Sequence, residues 1–224
     1  MRHYPPPTPP PHLQPDGSRL ATGCYDARAR VWGDDGTLQH VLTGHSQPVF
    51  SVQWSPSGSH LLTGSVDQTA IVWDADRGAM VQQFAYHSAP ILDVDWASDT
   101  QFATASSDKT VQVWSVGDRA PVRTWAGHSD EVNAIQWDPS HQLLASGSDD
   151  GTARLWSLTG GTDSVAVLAG HKKAVYSVKW APCGDGSANP AAPATLATYV
   201  SPFIGLCAMA RCLPPHPSTH THAP

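Results

Sequence analysis

The stretch LLASGSDDGTARLW, residues 143–156, places an acidic turn, SDDGT, between two apolar ends and closes on Trp156. The chain repeats it. LATGCYDARARVW (20–32), LLTGSVDQTAIVW (61–73) and FATASSDKTVQVW (102–114) carry an acidic turn in the same place and end on the same residue. Trp32, Trp73, Trp114 and Trp156 stand 41, 41 and 42 residues apart. A fixed period of about 40–45 residues is the signature of a repeat architecture and governs every local reading.

A second marker precedes the first. GHSQPVFSVQW (44–54), YHSAPILDVDW (86–96), GHSDEVNAIQW (127–137) and GHKKAVYSVKW (170–180) share a His and, nine positions on, a Trp. Turn formers follow that Trp: SPSG, ASDT, DPSH. After each closing Trp comes another turn and a short apolar run: LQHVL, MVQQF, VRTW, VAVL. One period therefore holds four short runs rich in Val, Ile, Thr and Trp. They alternate, with Val52 and Trp54 set against Ser51 and Gln53. Alternation of this kind is strand patterning. Four antiparallel strands per period describe one blade of a β-propeller, an all-β fold.

The repeats divide the chain into 14–43, 44–85, 86–126, 127–169 and a partial 170–199, flanked by a Pro-rich segment, 1–13, and a tail, 200–224. Both flanks read as disordered low-complexity sequence. The first repeat enters at QPDGSRLATG (14–23), without an innermost strand or its His. In the fifth, TLATYV (195–200) supplies Thr198, but Pro202 stands where an Asp is due and Ala208 where a Trp is due. The expectation is an incomplete ring of about four blades, first and last partial, from a truncated gene model or splice product. A closed four-bladed ring is the alternative.

Composition narrows the function. The 224 residues are 40% apolar and 14% charged, with net charge −6 and no basic stripe, which argues against direct nucleic-acid binding. Cys24, Cys183, Cys207 and Cys212 are scattered and no apolar leader opens the chain, as for free thiols in a reducing compartment. Gly186 to Ala210 lacks charge, but Pro190, Pro193 and Pro202 interrupt it, so no membrane span is expected. Cys207, Cys212, His216, His220 and His222 fit no standard zinc spacing; no metal or other cofactor is expected.

The acids of the opening stretch belong to sets of constant spacing: His45, Thr63, Asp67, Trp73; His87, Thr104, Asp108, Trp114; His128, Ser146, Asp150, Trp156. An Asp can accept from backbone N–H groups of its turn and from the imidazole, the imidazole can bridge to the hydroxyl, and the hydroxyl to the indole N–H. Each donor then has an acceptor, so the set can be buried at little net cost. The competing reading is a catalytic triad. Recurrence in every blade beside a Trp favours a structural brace, since a nucleophile is needed once per site. Without a nucleophile elbow, P-loop or paired-carboxylate motif, no enzymatic activity and no small-molecule substrate are expected.

These residues resemble WD40 repeats: GH, a strand ending in Trp, S/T-x-x-x-D, then Trp, once followed by Asp as in Trp73–Asp74. The resemblance spans about residues 16–199. QQFAYHSAPILDVDW (82–96) and GHSDEVNAIQWDPSHQLLASGSDDGTARLW (127–156) look like the transducin β-like proteins in particular, with YHSAP in place of GH as the specific signal. That resemblance implies a nuclear (also cytoplasmic), non-catalytic scaffold within transcriptional corepressor and histone deacetylase complexes. Its implied partners are corepressor, deacetylase or histone-tail components. It also implies an N-terminal LisH dimerisation segment, whereas residues 1–12 are MRHYPPPTPPPH. A ubiquitin-ligase substrate receptor and a non-functional propeller fragment are the alternatives.

In such a propeller the GH loop and the Asp turn share one rim. Tyr25, Phe50, Leu92, Glu131, Asn133, Asp149 and Tyr176 fall there. Apolar and aromatic groups so placed suit interface anchors; partial burial against neighbouring loops is the other account. Asp130, Glu131 and Asp149 could face a basic tail, and Lys172–Lys173 read as a solvated loop.

Overall fold

The structure, a computed structural model, describes residues 11–181, 195–199 and 206–211. Among them are strands and turns and no helix. The strands form five antiparallel sheets. The first holds β1 (His12–Leu13), β2 (Arg19–Gly23), β3 (Arg28–Gly33) and β4 (Leu38–Thr43). The second holds β5 (Val49–Trp54), β6 (His60–Ser65), β7 (Thr69–Asp74) and β8 (Ala79–Ala85). The third holds β9 (Ile91–Trp96), β10 (Gln101–Ser106), β11 (Thr110–Ser115) and β12 (Arg123–Ala126). The fourth holds β13 (Val132–Trp137), β14 (Leu143–Ser148), β15 (Thr152–Ser157) and β16 (Ala166–Ala169). The fifth holds β17 (Ser177–Trp180), β18 (Thr195–Tyr199) and β19 (Leu206–Arg211). Each sheet is a meander in chain order, as short turn-linked strands of period 2 require.

Strand alternation stacks the sheets. On β6, Leu61 packs with Ala21, Val31 and Leu42 of the first sheet. Its neighbour Leu62 points the other way, against Ile91, Val94 and Phe102 of the third. Each core cluster thus lies between two successive sheets, with Trp125, Trp137 and Trp156 between the third and fourth and Val178, Trp180 and Leu155 between the fourth and fifth. Burying each such aliphatic side chain contributes roughly 1.5–3 kcal/mol. The innermost strands run side by side around the axis, β9 between β5 and β13. These are WD40 propeller blades in an open arc: among the described residues no strand of the fifth sheet pairs with the first.

Two expectations change. The first repeat has its innermost strand, because His12 and Leu13 pair with Ala21 and Leu20. Two residues between a proline run and the PDG turn are too few to show alternation, yet Trp54 fixes them by donating from its backbone N to His12 Nδ1 (3.1 Å) and from its indole to His12 O (2.9 Å). The segment 200–224, read as wholly outside the repeats, supplies β19, which pairs with β18. A strand needs neither the Asp turn nor the Trp: the free edge of β18 offers backbone groups, and residues 203–212 contain no Pro. The described residues form five sheets in an open arc, as the five repeats imply, and the closed four-bladed alternative does not hold. No helix of the described residues is long and apolar enough to cross a membrane.

Candidate functional site

The structure brings each His–hydroxyl–Asp–Trp set together. In the second blade, Asp67 Oδ2 accepts from His45 Nδ1 at 3.0 Å, His45 Nε2 lies 2.7 Å from Thr63 Oγ1, and Trp73 Nε1 donates to that hydroxyl at 3.0 Å. The third blade gives 2.7, 2.7 and 3.1 Å for His87–Asp108, His87–Thr104 and Trp114–Thr104. The fourth gives 2.8, 2.7 and 2.8 Å for His128–Asp150, His128–Ser146 and Trp156–Ser146. A neutral imidazole protonated at Nδ1 satisfies the whole chain: Nδ1–H to the carboxylate, hydroxyl to Nε2, indole N–H to hydroxyl oxygen. Two blades hold part of it. Trp32 donates to Thr22 at 3.0 Å, with Asp26 turned to Arg30 at 2.5 Å. His171 Nε2 lies 2.7 Å from Thr198 Oγ1.

Electrostatics follow from enclosure. Burial pushes His45 and His128 below the ordinary histidine value, against the pull of Asp67 and Asp150. Burial works to raise Asp150, but the Thr152 hydroxyl, His128 and two backbone N–H groups bring it down to about 2. Asp67 and Asp108 are lowered by the same balance, burial opposed by Thr69 and Ser46 for one and by His87 and Thr110 for the other. The hydroxyls of Thr63, Thr104 and Ser146 are fully buried and already engaged. A nucleophile needs an open approach, and these have none.

Two further sets escaped the sequence reading. Thr69, Thr110 and Thr152, two residues after each turn Asp, donate both backbone N and hydroxyl to its Oδ1. Ser65, Ser106 and Ser148, two residues before it, accept from the Asp backbone N. The signal was present as S-x-D-x-T in VDQT, SDKT and DDGT with the preceding Ser. The second set lies at the axis, one residue before each inner Trp: His12 stands before Leu13, and Gln53, Asp95, Gln136 and Lys179 follow in order. His12, Asp95 and Gln136 each accept the backbone N of the next blade's Trp at 3.1, 2.7 and 2.8 Å.

The rim residues divide by exposure. Tyr25 (41% exposed) and Tyr176 (51%) stand out, and Asp149 is exposed, while Phe50, Leu92, Glu131 and Asn133 are half-buried. Tyr25 leans on Phe50 with ring centroids 6.0 Å apart. Asn133 Nδ2 donates to Asp149 Oδ1 (2.5 Å) and to Val175 O (3.1 Å), and Ser107 donates to Glu131 (3.1 Å). Two of these ties join different blades: Asn133 of β13 reaches Val175 O, and Ser107 reaches Glu131. A separate depression of about 500 Å³ on the outer face of the first sheet is lined by Leu13, Leu20, Thr22 and Trp32. The matching face of every other blade is covered by its neighbour. No group of three or more possible metal ligands occurs among the described residues, and Cys212, His216, His220 and His222 lie outside them.

Comparison with known proteins gives a match to the family "WD domain, G-beta repeat" over residues 12–33, 36–74, 78–115, 119–157 and 162–186. F-box-like/WD repeat-containing protein TBL1X of Mus musculus is 46% identical over 87 residues, 39% of this chain and 16% of that protein. WD40 repeat-containing protein HOS15 of Arabidopsis thaliana is 45% identical over 183 residues, 82% of this chain and 30% of that protein. SIR4-interacting protein SIF2 of Saccharomyces cerevisiae is 28% identical over 180 residues, 74% of this chain and 34% of that protein. The chain spans about a third or less of the length of the curated relatives it matches.

Proposed function

We infer function from membership: this chain belongs to the WD40-repeat family, in its transducin β-like branch. It is a repeat scaffold for protein–protein interaction. Within that class, our reading is a non-catalytic subunit of a nuclear transcriptional corepressor–histone deacetylase assembly, with Tyr25, Phe50, Leu92, Glu131, Asn133, Asp149 and Tyr176 as the partner-facing rim. The observation that carries it is the 45% identity with HOS15 across 82% of the chain. The rim supports it physically. Rigid aromatic side chains lose little conformational entropy on binding, and here they stand exposed on a stack braced blade by blade.

Affinity purification of the endogenous protein tests the reading. Co-purification of deacetylase and corepressor subunits, reduced tenfold or more by Tyr25→Ala with Tyr176→Ala, is the expected result. Recovery of cullin adaptors instead would move the protein to the ubiquitin-ligase receptors, the alternative that the "F-box-like" name of TBL1X keeps open.

A further inference from the structure

The seams between neighbouring blades are joined at the axis in one recurring way. The indole of an inner-strand Trp donates to a backbone carbonyl of the preceding blade: Trp54 to His12 O (2.9 Å), Trp96 to Gln53 O (3.2 Å) and Trp180 to Gln136 O (2.9 Å). The seam between the third and fourth blades departs from this. Trp137 Nε1 is buried there without a hydrogen-bond partner among the described residues. Carboxylates hold its backbone instead. Asp95 Oδ2 accepts from Trp137 N (2.7 Å), and Asp93 Oδ2 from Ile135 N (3.0 Å). The other oxygen of Asp93 takes Ser51 Oγ and Val94 N, both at 2.9 Å. Uncharged side chains, Ser51 and Gln53 before and Ala134 and Gln136 after, occupy the matching places in the second and fourth blades.

We propose that this seam is a proton-sensitive joint, tighter while Asp95 carries a proton and looser once it ionises. The charged groups facing Asp95 are few. Asp93 lies on its own strand and Lys179 on β17. The strands β5 (VFSVQW), β10 (QFATAS) and β13 (VNAIQW) carry no titratable side chain, and His60, the one on β6, is bonded to Ser59. No salt bridge reaches either carboxylate among the described residues. Ionising Asp95 places a second negative charge beside Asp93, both carboxylates being part-buried on β9 between β5 and β13. Burial pushes Asp95 up to about 7, the Asp93 charge adding and the Trp137 N–H and Lys179 opposing. Burial raises Asp93 as well.

The sign follows from where the proton sits. A carboxyl whose folded value lies above its ordinary 3.8 favours the closed state while protonated, and that contribution fades as pH rises through 7. Opened, the group is already ionised at pH 6, so the opened seam should gain about tenfold in population between pH 6 and 8.

Hydrogen exchange on the full 224-residue chain reads this directly. After correction for intrinsic rates, protection of the Trp137 and Ile135 amides should fall about tenfold from pH 6 to 8. The Trp180 amide, held by uncharged Gln136 (2.8 Å), should not change. Asp95→Asn should abolish the fall. An unchanged wild-type seam, or an Asp95→Asn variant that keeps the dependence, overturns the proposal. Should the variant not fold, the carboxyl carbon titration of Asp95 in the wild-type chain decides: a midpoint near 7 supports the joint, and one near 4 sinks it.

Discussion

At the residue scale, what recurs in the sequence is what recurs in space. Ser146 shows the consequence. Its hydroxyl bridges His128 Nε2 (2.7 Å) and Trp156 Nε1 (2.8 Å), both enclosed. Ser146→Ala therefore orphans two groups, at about 1–3 kcal/mol each. Urea denaturation should show that loss, and Trp156→Phe, which orphans neither imidazole nor carboxylate, should cost less than Ser146→Ala in bond terms. The same sets define the acid response. His45 and His128 sit below their ordinary 6.5 in the fold, so the unfolded chain binds their protons first and stability falls as pH drops through 6.5. Asp67, Asp108 and Asp150 add a second loss as pH drops through 3.8. Urea midpoints at pH 7.5, 5.5 and 3 should fall stepwise in a chain carrying Asp95→Asn, which removes the Asp95 part of the opposing axial contribution. Brace residues were legible because the same spacing is read three times. Asp93 and Asp95 were not, because they occur once, and a single DVDW looks like any half-exposed strand until its neighbours are in place.

At the element scale, turn chemistry decided what could be seen. The residue after each turn Asp adopts positive φ: Ala27 (65°), Gln68 (72°), Lys109 (72°) and Gly151 (79°). Only the fourth blade meets that demand with glycine, as in the opening DDGT. An L side chain in this region costs about 1 kcal/mol, part of which glycine returns through its greater unfolded-state freedom. Gln68 is exposed, and its side chain makes no hydrogen bond among the described residues. Gln68→Gly should therefore stabilise the chain by about 0.5 kcal/mol, seen as a small rise in the urea midpoint; a fall would mean that the turn is not strained. Strands bounded by such turns were readable from alternation. The two strands that were missed lack those bounds. His12–Leu13 is too short to alternate, and Leu206–Arg211 follows no Asp turn.

At the scale of the whole molecule, the period predicts the mechanics as well as the shape. Each core cluster joins only adjacent sheets, so stability is a sum of blade terms and nearest-neighbour seams. The covered faces share a rule. Gly23, Gly64, Ala105 and Gly147 occupy one position on the second strand, and a Cβ at Gly64 or Gly147 would already lie 2.7 Å from a neighbouring Ile91 or Val175 methyl. On the fifth sheet that position is Tyr199, 47% exposed, so its outer face is shaped unlike the seams within the arc. Val178, 2% exposed, anchors the inner face of the same sheet against the fourth blade. Val178→Asp buries an unpaired charge in that seam and should release the fifth sheet. In a nearest-neighbour stack, exchange protection should vanish over β17 and β18, weaken over β13 to β16, and persist over β5 to β12. Hydrogen exchange followed by mass spectrometry gives that profile in one experiment. If all five sheets instead lose protection together, the arc is a single cooperative unit, and the blade-by-blade bracing of the His–hydroxyl–Asp–Trp sets does not make each blade separately stable.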